Sequence, residues 1–318
     1  MNTGMTRRCF LGVAAAFAGG GCRSIFTGAR RDYDDSLTVL ISDPHVGGTS
    51  YCQKYQADRL RKVVGEILSM DPLPRRVLCF GDLAWTAGWR LDYQFSRPIL
   101  QPLIDAGIDF RVTMGNHDRR SHFLESWPEY AKSSPVPGKI VSVVPLADAD
   151  FVMLDTLKGS DDRGEREMGP VDGVLDGDQL DWLEDWMRKA KRPFFLGAHH
   201  FDDLNVPGKS ILARMQDASP HAVAWVNGHS HAWISRARVV NWGKRSMMQV
   251  LTLPSTGHWG DIGYVTLRTS PSGACAQLRQ DDFFFTTPDK RPAFWKQRVA
   301  DNDGLKAHFV FEGAEAAS

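Results

Sequence analysis

Residues 112–120 read VTMGNHDRR: an apolar run ends at a glycine, and an amide, an imidazole and a carboxylate follow in succession. The run has the composition of a buried strand, and Asn116, His117 and Asp118 are side chains that bind metal ions or transfer protons. An isolated Asn-His-Asp triplet also suits the N-cap of a helix. Whether the triplet belongs to a functional site therefore depends on which residues follow the other predicted strands.

The first half of the chain alternates strand and helix patterns. Strand-like runs at 37–41 and 75–80 precede the run before Gly115. Between the first two, apolar residues recur at helical spacing, at Leu60, Val63, Val64, Ile67 and Leu68. A second helix is predicted over 96–107. This order predicts βαβ units with a parallel sheet, in which ligands bind beyond the carboxyl ends of the strands.

The second half is richer in strands. Strands are predicted, in order, at 140–146, 150–157, 192–200 and 222–231. A helix is predicted at 176–190, and a meander of four further strands at 236–241, 247–253, 262–268 and 275–280. Residues 286–318 have little periodicity and are expected to form a C-terminal tail.

The N-terminus has the pattern of an export signal. Residues 6–22, TRRCFLGVAAAFAGGGC, contain two arginines, a short apolar run and small residues before Cys22. The Arg7-Arg8 pair resembles a twin-arginine signal, and the apolar run is too short for a stable membrane span. We expect an export signal at 1–22, a linker at 23–36, and a location in the bacterial periplasm or at the cell envelope. The stretch before Cys22 resembles a degraded lipobox, so lipid anchoring at that residue stays open.

The composition limits the classes of molecule that the chain is expected to bind. Lys+Arg and Asp+Glu are both 38, so the chain has no basic excess that would suit a broad nucleic-acid surface. Five cysteines show no CxxC or other zinc spacing. We expect a small-molecule partner, no broad nucleic-acid surface, and membrane contact only through a lipid at Cys22.

Polar side chains follow five of the predicted strands. Each alone is ordinary turn or loop chemistry, but together they form one series along the α/β scaffold: Asp43 and His45, Asp82, Asn116 and His117, His199 and His200, then His229 and His231. The order D-x-H, G-D, G-N-H-D, H and G-H-x-H resembles the calcineurin-like metallophosphoesterase superfamily from about residue 37 to 268. Within it, the GNHDRR stretch and the overall spacing are most similar to the cyclic-nucleotide and glycerophosphodiester phosphodiesterase-like branch.

The resemblance implies a four-layer α/β/β/α sandwich with two mixed sheets and flanking helices, in a domain at 37–285. It also implies two divalent metal ions, such as Mn, Fe or Zn. Such ions lie about 3.5–4 Å apart, lower the pKa of a bridging water to give a hydroxide, and clamp the phosphoryl group. Carried over by position, the first ion is held by Asp43, His45 and His231, the second by Asn116, His199 and His229, and Asp82 bridges both.

Catalytic and substrate roles are also implied by the resemblance. His117 would act on the leaving group, and Asp118 would orient His117 or its loop. His199 is taken as the metal ligand because it is the first histidine after its strand; His200 then lies near the pocket mouth or is structural. Arg119 and Arg120 either contact a substrate phosphate or form a solvated pair. Five aromatic residues either wall the pocket or pack elsewhere: Trp85, Trp89, Trp233, His258 and Trp259.

The predicted function is hydrolysis of phosphate esters, with phosphodiesters favoured over monoesters. Trp85 stands where purple acid phosphatases place the tyrosine that binds ferric iron, which argues against such a site. Two alternatives stay open: a phosphomonoesterase or nucleotidase of the same fold, and a binding scaffold that has lost catalysis. Scaffolds of this kind lack ligands or the catalytic histidine, whereas this chain has all eight positions. A metallo-β-lactamase-type enzyme would need an H-x-H-x-D-H string, which is absent.

Overall fold

The computed structural model describes residues 32–47, 51–159, 167, 169–241, 246–283 and 293–311. The expected export signal and most of the linker lie outside these residues. The strands are β1 Tyr33–Ile41, β2 Leu73–Cys79, β3 Asp109–Val112, β4 Ser142–Pro145, β5 Asp150–Met153, β6 Gly173–Val174, β7 Phe194–Ala198, β8 Leu204–Asn205, β9 Ala222–Asn227, β10 Ile234–Asn241, β11 Ser246–Thr252, β12 Asp261–Ser270, β13 Gly273–Phe283 and β14 Lys306–Val310. The helices are α1 Tyr51–Leu68, α2 Arg90–Asp105, α3 Arg120–Ser126, α4 Tyr130–Ser133, α5 Gly177–Lys189, α6 Ile211–Ala218 and α7 Ala293–Asn302.

The large strands form two six-stranded mixed sheets. The first has the order β14-β13-β12-β1-β2-β3, with β1, β2 and β3 parallel and the rest antiparallel. The second has the order β10-β11-β9-β7-β5-β4, with a parallel centre from β11 to β5 and an antiparallel strand at each edge. Parallel neighbours bring their carboxyl ends to one edge of each sheet.

Side chains of successive residues along each strand point to opposite faces and divide the apolar residues among three clusters. On β1, Val39 and Ile41 pack with α1 and α2, whereas Leu40 belongs to the cluster between the sheets. On β7, Phe195 joins that central cluster, and Phe194 packs under α5 and α6. Three apolar clusters separate four layers, which confirms the predicted α/β/β/α sandwich.

The predicted meander was wrong in one respect. All four of its strands exist, as β10 to β13, but they form two hairpins in different sheets. The connection at 253–260 carries the chain from the second sheet to the first, where β12 pairs with the side of β1 that β2 leaves open. Strand periodicity reports burial on one face, and it does not say which sheet a hairpin joins.

The C-terminal segment contributes to the domain. We expected residues 286–318 to form a tail, but α7 and β14 lie within them, and β14 extends the first sheet beside β13. On β14, Ala307 and Phe309 are buried in the central cluster, while Lys306 and Val310 face solvent. Five alternating residues are too few to distinguish from a loop by sequence.

Candidate metal centre

The polar residues singled out in the sequence follow five strands whose carboxyl ends converge. Asp43 and His45 follow β1, Asp82 follows β2, and Asn116 follows β3 in the first sheet. From the second sheet, His199 follows β7. His229 and His231 follow β9. The structure brings all seven predicted ligands together at one end of the sandwich, between the two sheets.

The backbone at this site adopts an uncommon conformation. Five non-glycine residues in the described part of the chain have φ between 45° and 67°, the left-handed region that side chains other than glycine disfavour. All five are predicted ligands: Asp43, His45, Asp82, His229 and His231. Such residues cost about 1–3 kcal/mol each and persist where function requires the geometry. Here the left-handed turns aim the side chains back toward one point.

Glycines next to the ligands permit close approach of the strands. A Cβ atom on Gly115 would lie 2.2 Å from Oδ1 of Asp82. One on Gly228 would lie 2.0 Å from Oγ of Ser42 and 2.7 Å from Oδ2 of Asp43. Both positions therefore need glycine because another backbone or a ligand side chain occupies the space.

The first group of donors consists of Asp43, His45 and His231. Nε2 of His231 lies 3.1 Å from Oδ1 of Asp43 and 3.3 Å from Nε2 of His45. Ser42 donates through Oγ to Oδ2 of Asp43, and the backbone N–H of His229 also donates to this carboxylate. The three ligand atoms lie within 4.8 Å of one another, as metal ligands do.

The second group is Asp82, Asn116, His199 and His229. Nε2 of His199 lies 3.2 Å from Oδ2 of Asp82, 3.2 Å from Oδ1 of Asn116 and 3.1 Å from Nδ1 of His229. Oδ2 of Asp82 is also 3.5 Å from Nε2 of His45 in the first group. Asp82 therefore stands between the two groups, as a bridging carboxylate would.

The donor set fits two divalent cations. Two pairs of imidazole nitrogens face each other at 3.1–3.3 Å, and His199 also faces two oxygen atoms. A hydrogen atom on one ring nitrogen can form a hydrogen bond within only one of these pairs. The facing atoms therefore have more lone pairs than there are hydrogen atoms to bond them. A cation accepts all these lone pairs at once, and mixed imidazole, carboxylate and amide donors suit borderline metals.

The electrostatics of the cluster favour positive charge at its centre. Burial alone would raise the pKa of Asp82, but His199 and His117 outweigh it and hold that pKa well below its usual value. Burial would lower the pKa of His199, but Asp82 and Asp43 raise it to about 10. Two buried carboxylates thus bind positive charge between them, which is the property a metal site needs.

Three of the ligand imidazoles are held in place by a contact at one of their two ring nitrogens. Nδ1 of His45 lies 3.1 Å from the carbonyl oxygen of Trp85, and Nδ1 of His199 lies 2.7 Å from that of Phe80. Nε2 of His229 lies 2.9 Å from Oδ2 of Asp203. Each contact leaves the other ring nitrogen for the metal side. Sequence reasoning missed Asp203, whose only signal was its place three residues after a histidine pair.

We expect Asp203→Asn to weaken binding of the second ion about 10- to 100-fold, because Asp203 orients His229 and increases its basicity. Competitive titration of metal into the variant, with a chromophoric chelator, measures this effect. The neighbouring Asp202→Asn is the matched control, since Asp202 pairs with Arg236 and Arg238. Equal metal affinities in the two variants would contradict the assigned role of Asp203.

His117 lies beside the donors with its side chain 20 % exposed. Its backbone N–H donates to Oδ1 of Asp82 at 2.8 Å, and its Nε2 is 3.9 Å from Oδ2 of that residue. Its ring meets that of His45 edge to face, with centroids 4.7 Å apart. The side chain thus reaches the centre while remaining accessible from outside.

Asp118 acts on the loop that carries Asn116 and His117. Its carboxylate accepts hydrogen bonds from the backbone N–H groups of Gly115, Leu83 and Ala84, at 3.0–3.4 Å, and one from the hydroxyl of Tyr93 at 3.1 Å. These contacts join the loops after β2 and β3. Asp118 was predicted to orient either His117 or the loop that carries it. These contacts support orientation of the loop.

Protein groups engage the other residues that were predicted to contact the substrate. Arg119 is 2 % exposed, and its guanidinium donates to the carbonyl oxygens of Ala87 and Glu167. Arg120 forms a bidentate ion pair with the buried Asp155. Each guanidinium is engaged by protein groups, so the two arginines do not form a solvated pair, and a contact with a substrate phosphate stays a prediction. His200 is fully buried, with Nδ1 2.8 Å from Oγ1 of Thr156, which favours its structural alternative.

Three of the five aromatic residues lie against the site. The His258 ring contacts the rings of His45, Trp85 and His231, and the Trp259 ring lies 4.7 Å from that of His231. Burial, together with His231 and His117, lowers the pKa of His258 to about 3. Trp89 precedes α2 and bonds to Asp92, and Trp233 packs on the central cluster.

A two-sheet sandwich with clustered His, Asp and Asn donors at its strand ends is an α/β fold whose donors could hold metal ions. The profile of the calcineurin-like phosphoesterases matches residues 37–233, and the chain belongs to this family. Among curated proteins, no sequence matches it.

Two solved structures have the same fold. A dimetal phosphatase from Danio rerio has a TM-score of 0.57 at 16 % identity, covering 77 % of this chain and 96 % of the other. PhoD has a TM-score of 0.52 at 13 % identity, covering 80 % of this chain and 67 % of the other. At these identities the similarity concerns the fold.

Proposed function

We propose that the chain is a metal-dependent phosphoesterase that hydrolyses small phosphate esters at a dinuclear centre. The observation that carries this proposal is the convergence of seven donors in two groups sharing Asp82, with five of them in left-handed backbone conformations. A fold that required only packing would have no reason to hold five non-glycine residues in strained conformations around buried carboxylates.

Each part of the site has a role in this proposal. Bound divalent ions would supply a nucleophile at neutral pH and neutralise charge on the phosphoryl oxygens. Asp82 would hold both ions, and Asn116 would contribute a neutral oxygen that leaves the centre electrophilic. His117, accessible and beside Asp82, would donate a proton to the departing oxygen. Asp118 would keep the Asn116–His117 loop in place.

Phosphodiesters are the proposed preferred substrates. This preference rests on the resemblance of the GNHDRR stretch and the motif spacing to the phosphodiesterase-like branch. The rim beside the first donor group supports a substrate with an organic substituent, because Trp259 is 42 % exposed there. A phosphomonoesterase or nucleotidase is the alternative within the same fold.

A non-catalytic scaffold is the alternative of a different class. It would need no complete ligand set and no accessible acid. Here all seven donors and His117 are assembled, and the imidazoles of three ligands are fixed from behind. This completeness favours an enzyme over a scaffold.

Removal of metal should abolish hydrolysis, and replacement should restore it. We expect the chelator-treated protein to be inactive and to regain turnover on binding about two ions per chain. Bis-p-nitrophenyl phosphate and p-nitrophenyl phosphate should be compared after loading with Mn, Zn, Fe or Ni separately. A higher kcat/KM for the diester supports the substrate proposal. Two bound ions without turnover would favour the scaffold, and absence of metal binding would contradict the centre itself.

We also propose that the chain is exported through its twin-arginine segment, to the periplasm or to a lipid anchor at Cys22. Among the described residues, no helix has the length and apolar character needed to span a membrane. Replacing Arg7 and Arg8 together by lysine should leave the protein in the cytoplasm, as measured by cell fractionation. Cys22→Ser should release any anchored fraction without blocking export. Unchanged export of the double-lysine variant would contradict the proposal.

A further inference from the structure

His258 lies among the metal-site imidazoles although it belongs to none of the predicted ligands. Its ring centroid is 4.3 Å from that of His45 and 5.4 Å from that of His231. In the part of the chain that the structure describes, the clusters with metal-ligand spacing do not include it. His258 therefore stands beside the first donor group, on a different segment from His117, which also contacts His45.

The loop that carries His258 is fixed from several sides. The backbone N–H of His258 donates to Oγ of Ser255 at 2.7 Å, and that hydroxyl donates to the carbonyl oxygen of Asp43 at 2.8 Å. Arg59 of α1 donates to the carbonyl oxygens of Gly257 and His258, and it forms an ion pair with Asp282. A loop held in this way keeps the imidazole in one place relative to the ligands.

The contact with Gln56 engages one end of the ring. Gln56 is 2 % exposed, and its side-chain amide contacts Nδ1 of His258. If the amide N–H of Gln56 donates to Nδ1, the proton of the neutral imidazole lies on Nε2.

We propose that Nε2–H of His258 donates a hydrogen bond to a non-bridging phosphoryl oxygen of the bound substrate, on the side of Asp43, His45 and His231. This inference rests on the proposed phosphoesterase function and adds a substrate contact to it. A packing residue at this position would need neither a buried amide partner nor a loop anchored by Arg59. The rings of Trp85 and Trp259 lie near that of His258, with centroids 5.2 and 6.4 Å away.

Two variants of similar length separate a donor from a packing role. His258→Gln retains an N–H donor near the position of Nε2, whereas His258→Met fills the space without one. We expect the Met variant to lose about 10- to 100-fold in kcat/KM, as for a hydrogen bond to a charged oxygen. The Gln variant should stay within about fivefold of the wild-type chain. Metal content should be unchanged in both.

Binding of inorganic phosphate to the metal-loaded protein gives a readout that does not require turnover. Calorimetry should show an affinity loss in the Met variant that parallels its loss in kcat/KM, with recovery in the Gln variant. If the wild-type chain hydrolyses no ester, the proposed function fails while this comparison still tests His258. Equal phosphate affinity in all three proteins, or equal losses in both variants, would overturn the donor role.

The tautomer can be measured directly. Long-range ¹H–¹⁵N correlation spectra of the zinc-loaded protein, assigned through the His258→Gln variant, should show the proton of His258 on Nε2. A proton on Nδ1 alone would overturn the proposal, because Nε2 would then be an acceptor and would repel a phosphoryl oxygen. This result does not depend on the stability of any variant under assay conditions.

Discussion

Asp82→Asn should lower kcat/KM by about 1000-fold or more and reduce the bound metal to at most one ion per chain. Oδ2 of Asp82 lies 3.2 Å from Nε2 of His199 and 3.5 Å from Nε2 of His45, so one carboxylate serves both donor groups. An amide in its place has one oxygen and no charge. The several kcal/mol that two shared cations contribute to the transition state would then be lost.

Thermal unfolding with and without metal provides a second measurement. The wild-type chain should gain about 4 kcal/mol at a metal concentration 1000 times the dissociation constant, and Asp82→Asn should gain much less. Asp155→Asn is a suitable control. Asp155 is also fully buried, but it pairs with Arg120 and bonds to the backbone of Ile140 and Leu157. Its loss should lower the Tm equally with and without metal. A full metal-induced shift in Asp82→Asn would contradict the bridging role.

The positions of the metal donors could be predicted because they depend on features that sequence records. Apolar runs that end in Gly-Asp or Gly-Asn-His identify buried strands and the polar residues just beyond them. Parallel pairing then places the carboxyl ends together. The left-handed turns at these residues were not predicted, since aspartate and histidine give little local indication of positive φ.

Other features depend on contacts between distant segments, which no local pattern encodes. Asp203 reaches His229 across 26 positions of the chain, and Gln56 reaches His258 across 202. The C-terminal segment is another example. Arg298 of α7 forms a bidentate pair with Asp261, whose backbone N–H donates to the carbonyl oxygen of His231. A segment without periodicity thus supports a ligand loop.

His117→Asn is expected to reduce kcat without loss of metal. The reduction should be about 100-fold or more for an ester with an alkyl leaving group. It should be much smaller for p-nitrophenyl esters, because p-nitrophenolate departs without a proton. His122→Asn is the matched control: His122 is buried five residues further on, with Nδ1 2.7 Å from the carbonyl oxygen of Gly88. Rates for a series of leaving groups and metal analysis of both variants measure these effects.

The same experiment decides between two roles that the geometry allows for His117. Its nitrogen lies close enough to His45 and Asp82 to complete a ligand cluster. However, Asp82 already has two imidazole partners at 3.2 and 3.5 Å, whereas His117 is 3.9 Å away and 20 % exposed. A ligand would be drawn in and covered, while an acid must face the substrate. If His117→Asn loses metal and its rate falls equally for all leaving groups, His117 is a ligand. If the variant retains metal and its hydrolysis rate depends more steeply on the pKa of the leaving group, His117 is the acid.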